Sequence, residues 1–243
     1  MEKNYLIPAS IILSTIIIVY GWTSVNQKLV PSGKNNIESS RIAAQTIELP
    51  VVWGDMGAQM INTGVIDRPQ FEAIYQSRGG LSDADKRLLN DFQNGNLKAN
   101  QENAGLLLNL FWALGLGNKN EILEKGPMAD PKYGSPARFA STGGWTLAKG
   151  DVMNHYSKHL FVVLTPQQQA LVEQVSKNIY RPCCNNSTYF PDCNHGMAML
   201  GLLELMASQG ASEDQMYRTA LQMNSLWFPA QYAVINKYIE SKG

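Results

Sequence analysis

The order of apolar and polar residues predicts a mainly α-helical chain. From residue 47 onwards, apolar residues recur at helical spacing, and short polar residues stand where helices would begin. The clearest start is Thr165, which is followed by a first-turn proline and by Gln168 at the third helical position, so we expect a helix as far as about Tyr180. Further helices are expected to begin after Asp55, Asp67, Ser82 and Ser212, and at Pro229.

Two stretches are apolar enough to predict helices at the centre of the fold. They are residues 99–114 and residues 195–209, and the second is apolar on nearly every side. Only Ile47–Val52 and Leu160–Leu164 have the pattern of extended strands. Residues 126–150 are rich in glycine and proline and predict a long loop. Together these patterns predict a single helical-bundle-like domain over residues 47–243.

The amino-terminal residues 1–22 predict a transmembrane anchor or a secretory signal. The apolar-leaning stretch Tyr5–Trp22 would cover about 27 Å as a helix, close to the thickness of a bilayer's hydrocarbon core. Aromatic residues stand at both of its ends, where such rings prefer the headgroup layer. The stretch is longer than the apolar core of an ordinary signal sequence, which favours an uncleaved anchor that binds the membrane.

The next segment, residues 23–46, is polar and contains Pro31, Ser32 and Gly33, as is typical of a linker. The head that precedes the apolar stretch is very short, which suits insertion with the amino end in the cytoplasm. We therefore expect the folded domain outside the cytoplasm, in a periplasmic or extracellular compartment.

Composition narrows the classes of function. The chain has 20 basic and 20 acidic residues, and a formal net charge of zero argues against a nucleic-acid partner. Three cysteines in 243 residues are too few for a fold built on disulfides. The sequence shows no Ser–His–Asp spacing and no paired-carboxylate signature, so it assigns no enzymatic activity.

The three cysteines and one histidine gather in a loop expected at residues 180–196, between two helices. Cys183, Cys184, Cys193 and His195 match the Cys₃His set that Zn²⁺ binds tetrahedrally. Thiolates also suit Cu⁺, and we expect either ion ahead of an Fe–S cluster. The sequence therefore predicts a metal ion, zinc or copper, at this loop.

The spacing of these cysteines leaves a rival interpretation open. Zinc sites usually space their cysteines two to four residues apart, whereas Cys183 and Cys184 are adjacent. Adjacent side chains diverge in extended backbone, so one ion would reach only one of them. A disulfide from either residue to Cys193 would then leave one free thiol.

The other two histidines, His155 and His159, are four residues apart. On a helix both rings would lie on one face, so we expect them as further metal donors. Asp192 would cap the helix that follows it, orient His195 or bind the metal, and capping is the simplest of these expectations. Glu204 lies in a strongly apolar helix, where it would pair with a cation, support the site or reach the edge of the bundle.

The cysteine cluster, the apolar helix and the run Gly210-Ala211-Ser212-Glu213-Asp214 together resemble the thiol subunit used in cytochrome c maturation. The likeness covers about thirty residues, and the chain lacks the Cys-x-x-Cys motif of that family. It implies a membrane-tethered thiol protein and so adds a redox alternative, with Cys193 as the attacking thiol and Cys183 or Cys184 as its partner. A third alternative is an accessory structural subunit of a membrane complex.

Overall fold

The computed structural model of this protein describes residues 46–242. Within this range the chain is mainly helical, as the sequence predicts, with ten α-helices and one two-stranded sheet. The expected anchor (residues 1–22) and residues 23–45 of the expected linker lie outside the described residues. Among residues 46–242, no helix has both the length and the apolarity that crossing a membrane requires.

Most elements follow one another with short connections, apart from the irregular stretches at residues 126–139, 144–165 and 179–193. In chain order they are β1 (Ile47–Gly54), α1 (Met56–Thr63), α2 (Arg68–Gln76), α3 (Asp83–Asn90), β2 (Gln93–Ala99), α4 (Ala104–Gly117), α5 (Glu121–Lys125), α6 (Ala140–Gly143), α7 (Pro166–Asn178), α8 (Asn194–Ser208), α9 (Glu213–Trp227) and α10 (Pro229–Glu240).

Most of the predicted helix starts are confirmed, because local capping chemistry decides them. The hydroxyl groups of Ser82, Thr165 and Ser212 each accept a hydrogen bond from the backbone of the third helical residue, whose side chain bonds back to the cap. Asp67 caps α2 without this reciprocal bond: its side chain accepts a hydrogen bond from the Gln70 N–H. Asp55 stands before α1 as expected, but its side chain makes no capping hydrogen bond.

Two central helices, α4 and α8, form the middle of the fold. They cross where Gly115 meets Gly201, and a Cβ atom on either residue would collide with the backbone of the other helix. The absence of side chains at the crossing therefore lets the two backbones approach closely. Apolar residues of both helices are buried around this point, as their sequence predicts.

The sheet joins one predicted strand to one that the sequence does not reveal. Leu49, Val51 and Trp53 alternate inward on β1, and the Trp53 ring packs edge-on against Phe111 of α4 at 5.8 Å. Its antiparallel partner β2 is mostly polar and lacks that alternation. The prediction of a strand at Leu160–Leu164 is wrong: the segment pairs with no strand in the described part of the chain, and Leu160 and Val163 are exposed.

The long segment at residues 126–150 is irregular, as expected, but ordered by single helical turns. Three 3₁₀ turns, at Pro127–Ala129, Pro131–Tyr133 and Pro136–Arg138, precede α6. The rings of Tyr133, Phe139 and Phe190 pack together with centroids 5.4–5.7 Å apart. The segment therefore lies against the cysteine loop.

Candidate metal centre

The cysteine loop connects α7 to α8 and is closed on itself by backbone hydrogen bonds. The N–H of Arg181 donates to the carbonyl of Asn186, and the N–H of Asn185 donates back to the carbonyl of Arg181. Asn185 adopts a left-handed conformation with φ of +54°, which Asn tolerates better than most residues. The chain therefore turns sharply over the residues that carry the first two cysteines.

This turn overturns the expectation that Cys183 and Cys184 diverge. Their backbone is a turn and not an extended strand, and their Sγ atoms lie 3.4 Å apart. The Sγ of Cys193 lies 3.7 Å from each of them. No pair is bonded as a disulfide. Three free thiols thus form a nearly equilateral triangle of sulfur atoms.

His195 and Asp192 lie at the edges of this triangle. A nitrogen of His195 and the sulfurs of Cys183 and Cys193 all lie within 4.8 Å of one another. The same is true of a carboxylate oxygen of Asp192 and the sulfurs of Cys184 and Cys193. The loop therefore brings together ligand atoms that could hold a metal ion, including all four donors that the sequence predicts there.

Arg181 supports the thiols from the protein side. Its side chain is buried, and its Nη2 donates to the Sγ of Cys184 at 3.3 Å and to Asp192 Oδ1 at 2.7 Å. The same guanidinium donates to the carbonyls of Ser187 and Phe190. A buried cation held by this many acceptors places fixed positive charge beside the sulfur cluster.

The prediction that Asp192 caps α8 is wrong, because another residue takes that position. Cys193 is the N-cap, and its Sγ accepts from the Gly196 N–H at 3.4 Å. Asp192 instead accepts from Arg181 and, through Oδ2, from the side-chain amide of Asn186 at 2.7 Å. The carboxylate therefore fixes the loop and neutralises the arginine.

The three thiols have different acidities because their surroundings differ. Burial alone would raise the pKa of Cys184, but hydrogen bonds from the Arg181 side chain and the Asn186 N–H outweigh it and hold the pKa below its usual value. Burial, together with the neighbouring thiols, raises the pKa of Cys183 to about 12. Burial also raises the pKa of Cys193. Cys184 is thus the thiol most ready to ionise.

The ring of His195 is neutral and well packed. Burial and the nearby charge of Arg181 lower its pKa to about 4. The ring lies 4.4 Å from the Phe228 ring, centroid to centroid, and edge-on to Trp227. It also borders a surface cleft of about 400 Å³ that Arg78 and Trp227 help to line. A neutral imidazole is the form that binds metal ions.

The structure does not bring His155 and His159 to the sulfur cluster. They pair with each other beside the carboxyl end of α4, where the Ser157 N–H donates to the carbonyl of Leu116. His195 instead shares its cleft with residues 104–106 and Leu108, near the other end of that helix. Nor are the pair on an α-helix, because only a single 3₁₀ turn, Val152–Asn154, precedes them.

Two residues that support the site have weak or no signals in the sequence. Gly196 is required because a Cβ atom there would collide with Nη1 of Arg181, and the side chain of Asn186 contributes its hydrogen bond to Asp192. Glu204 is fully buried away from the loop, with Oε2 accepting from the Asn118 side-chain amide at 2.9 Å. The methionines of α8 are core residues.

Comparison with known proteins finds no matching family model, no matching curated protein and no matching solved structure. Any function must therefore follow from the chemistry of the site itself.

Proposed function

We propose that this chain is a membrane-tethered metal-binding protein that holds Zn²⁺ or Cu⁺ outside the cytoplasm. The proposed ligands are the thiolates of Cys183, Cys184 and Cys193, with His195 in the fourth position. The observation that carries the proposal is the triangle of three free sulfur atoms, with edges of 3.4, 3.7 and 3.7 Å.

The size of the triangle favours a tetrahedral ion. An ion in the plane of the three sulfurs would lie only about 2.1 Å from each, whereas zinc–thiolate bonds measure about 2.3 Å. The ion would therefore sit about 1 Å out of that plane, in a pyramid whose fourth position is open. Neighbouring thiolates on tetrahedral zinc are about 3.8 Å apart, close to the observed separations.

His195 is the donor best placed to complete the tetrahedron. Its nitrogen lies within 4.8 Å of the sulfurs of Cys183 and Cys193, and a bound nitrogen would lie about 3.6 Å from each. A shift of no more than about 1 Å would bring the nitrogen to that separation from these two sulfurs. Asp192 is less available, because Arg181 and Asn186 already occupy its two oxygens.

The charge around the thiols also supports a thiolate–metal site. Three thiolates and a Zn²⁺ ion carry one net negative charge, and Arg181 donates directly to one of the sulfurs. The amino end of α8 adds the positive end of a helix dipole at Cys193. Both features stabilise deprotonated sulfur, which is the form that ligates metals.

The membrane and compartment parts of the proposal rest on the sequence. The apolar stretch Tyr5–Trp22 is long enough to cross a bilayer. In an oxidising compartment, a bound ion would protect the three thiols from forming disulfides.

The test is a joint measurement of bound metal and free thiols. The full-length chain would be purified in detergent without chelator or histidine tag, and the metal that survives gel filtration would be counted. We expect one zinc or copper ion per chain, and three free thiols after unfolding in chelator. Cys184→Ser should abolish tight binding, whereas His159→Gln, a matched change at a distant histidine, should leave it intact.

A thiol–disulfide exchange function is the second candidate, and the acidity of Cys184 favours it. Its thiolate could attack a disulfide of a partner protein, and Cys193, 3.7 Å away, could then resolve the mixed disulfide. The partner would gain two electrons and two protons, and this chain would keep a disulfide. No bound metal and a reversible loss of two thiols would favour this function.

No metal and an inert disulfide would instead favour an accessory subunit of a membrane complex.

A further inference from the structure

We propose that His155 and His159 form a second, separate metal site for a borderline divalent ion such as Cu²⁺ or Zn²⁺. The facing nitrogens, Nδ1 of His155 and Nε2 of His159, lie 3.1 Å apart. Two imidazole nitrogens on adjacent positions of one ion, each about 2.0–2.1 Å from it, are separated by about 2.9–3.4 Å. The observed separation, which is that of a hydrogen bond between the two rings, falls within this range.

The tautomer of His155 is fixed by its second hydrogen bond. Its Nε2 lies 3.0 Å from the carbonyl oxygen of Lys149, which can only accept, so Nε2 carries the ring proton. In the neutral ring, Nδ1 is therefore a lone pair that faces His159. Metal-binding histidines characteristically donate their other N–H to a backbone carbonyl or carboxylate, and His155 has this arrangement.

The backbone that carries the two rings is held rigidly against the end of α4. The N–H groups of Ser157 and Lys158 donate to the carbonyls of Leu116 and Gly117, and the His159 N–H also donates to Gly117. The carbonyl of His159 in turn accepts from the Lys119 N–H at 2.7 Å. These bonds pair helix-end carbonyls with the loop, so the two rings are positioned before any ion arrives.

His159 is accessible as a ligand. His155 is buried while His159 is half-buried, so solvent can supply the remaining ligands. On binding an ion, the proton of His159 would lie on Nδ1 and free Nε2. Burial, with smaller contributions from His155 and Lys158, lowers the pKa of His159 below its usual value.

The test uses Cu²⁺ alone as the probe, in a full-length chain with Ser in place of Cys183, Cys184 and Cys193. This background removes the thiolates that would bind or reduce copper. We expect one Cu²⁺ per chain by calorimetry, with an electron paramagnetic resonance spectrum showing coupling to two imidazole nitrogens. His159→Gln should weaken binding at least about tenfold, whereas the matched change His195→Gln should leave it unchanged.

The proposal fails if Cu²⁺ binds no tighter than millimolar, if His159→Gln has no effect, or if His195→Gln removes the signal. A second measurement serves in case the triple variant misfolds. This measurement uses the unaltered chain already loaded with one zinc. A further equivalent of Zn²⁺ should shift the nuclear magnetic resonance signals of the His155 and His159 rings, and unshifted signals would overturn the proposal. Metal binding at the thiolates is measured separately, by the count of bound metal and free thiols. Either proposed site can therefore be disproved without disproving the other.

Discussion

The buried guanidinium of Arg181 donates from Nη2 to the Sγ of Cys184, which lies 3.3 Å away. The same nitrogen lies 2.7 Å from a carboxylate oxygen of Asp192. One arginine thus links the most acidic thiol of the loop to the acid that precedes Cys193. The loop depends on this contact for its shape, and the lowered pKa of Cys184 depends on it as well.

Replacing Arg181 with methionine should destabilise the fold by about 3 kcal/mol, because it leaves Asp192 and two backbone carbonyls without their partner. The matched control is Arg218→Met, which breaks a pair of the same 2.7 Å length with Asp214 on the surface. That change should alter the free energy of unfolding far less, because water already screens an exposed ion pair. Urea unfolding measures both, and equal effects would refute the structural role given to Arg181.

Gly196→Ala should disrupt the site although it adds only one methyl group. The new Cβ would collide with Nη1 of Arg181 and approach the Cα of Pro191 to 3.0 Å. We expect a loss of about 1–3 kcal/mol in stability, together with weaker metal binding. Gly105 lies in the first turn of α4, and a Cβ atom there would meet nothing within 4 Å. The control Gly105→Ala should therefore leave the stability unchanged or raise it. Similar behaviour of the two variants would show that the Arg181 packing is wrong.

Alkylation of the metal-free chain at neutral pH should modify Cys184 before Cys183. The pKa of Cys184 lies below its usual value beside Arg181, whereas the pKa of Cys183 is raised to about 12. Iodoacetamide reacts with the thiolate, so acidity should outweigh the greater exposure of Cys183. Peptide mass spectrometry over a time course gives the order. Faster labelling of Cys183 would contradict the assigned acidities.

Glu204 should make the fold less stable as the pH rises. Burial raises its pKa well above the ordinary value of 4.5, so the native state keeps a proton that the unfolded chain releases above about that pH. Its contribution is complete below pH 4.5 and is lost, by up to about 1.4 kcal/mol per pH unit, until the pH passes the native pKa.

The measurement for Glu204 is the free energy of unfolding between pH 5 and pH 8. Glu204→Gln should remove this part of the slope, because the amide oxygen can still accept from Asn118 and carries no charge. Glu240→Gln, a matched change at an exposed position of α10, should leave the slope as it is. An unchanged slope in the Glu204 variant would mean that this carboxyl is ionised in the native protein.

The helices could be predicted because their signals are local. The caps at Ser82, Thr165 and Ser212 lie within four residues of the groups they bond, so the sequence contains the whole interaction. The strand β2 could not be predicted from the sequence, because its polar residues form a strand only by pairing with the free edge of β1. The Leu160–Leu164 segment shows the reverse case, an apolar run beside which residues 46–242 supply no neighbouring strand.

The sequence predicts which candidate ligands the loop carries, but not how the loop arranges them. The clustering of cysteines identified the loop, yet the convergence of Cys183 and Cys184 depends on a left-handed Asn185 and on bonds between Arg181 and Asn186. The sequence suggested that His155 and His159 share one face of a helix, but in the structure a loop brings the two rings together. Their loop is held by carbonyls at the end of α4, which are far away in sequence.

The most direct test of the metal site is X-ray absorption at the zinc edge, recorded on the full-length chain loaded with one equivalent of zinc. We predict three sulfur neighbours at about 2.3 Å and one nitrogen at about 2.0 Å, because the proposed site would place three thiolates and His195 around one tetrahedral ion. His195→Gln should keep the three sulfur neighbours and change only the signal of the nitrogen neighbour. A shell with fewer than three sulfurs, or a chain that retains no zinc, would contradict the site proposed for Cys183, Cys184 and Cys193.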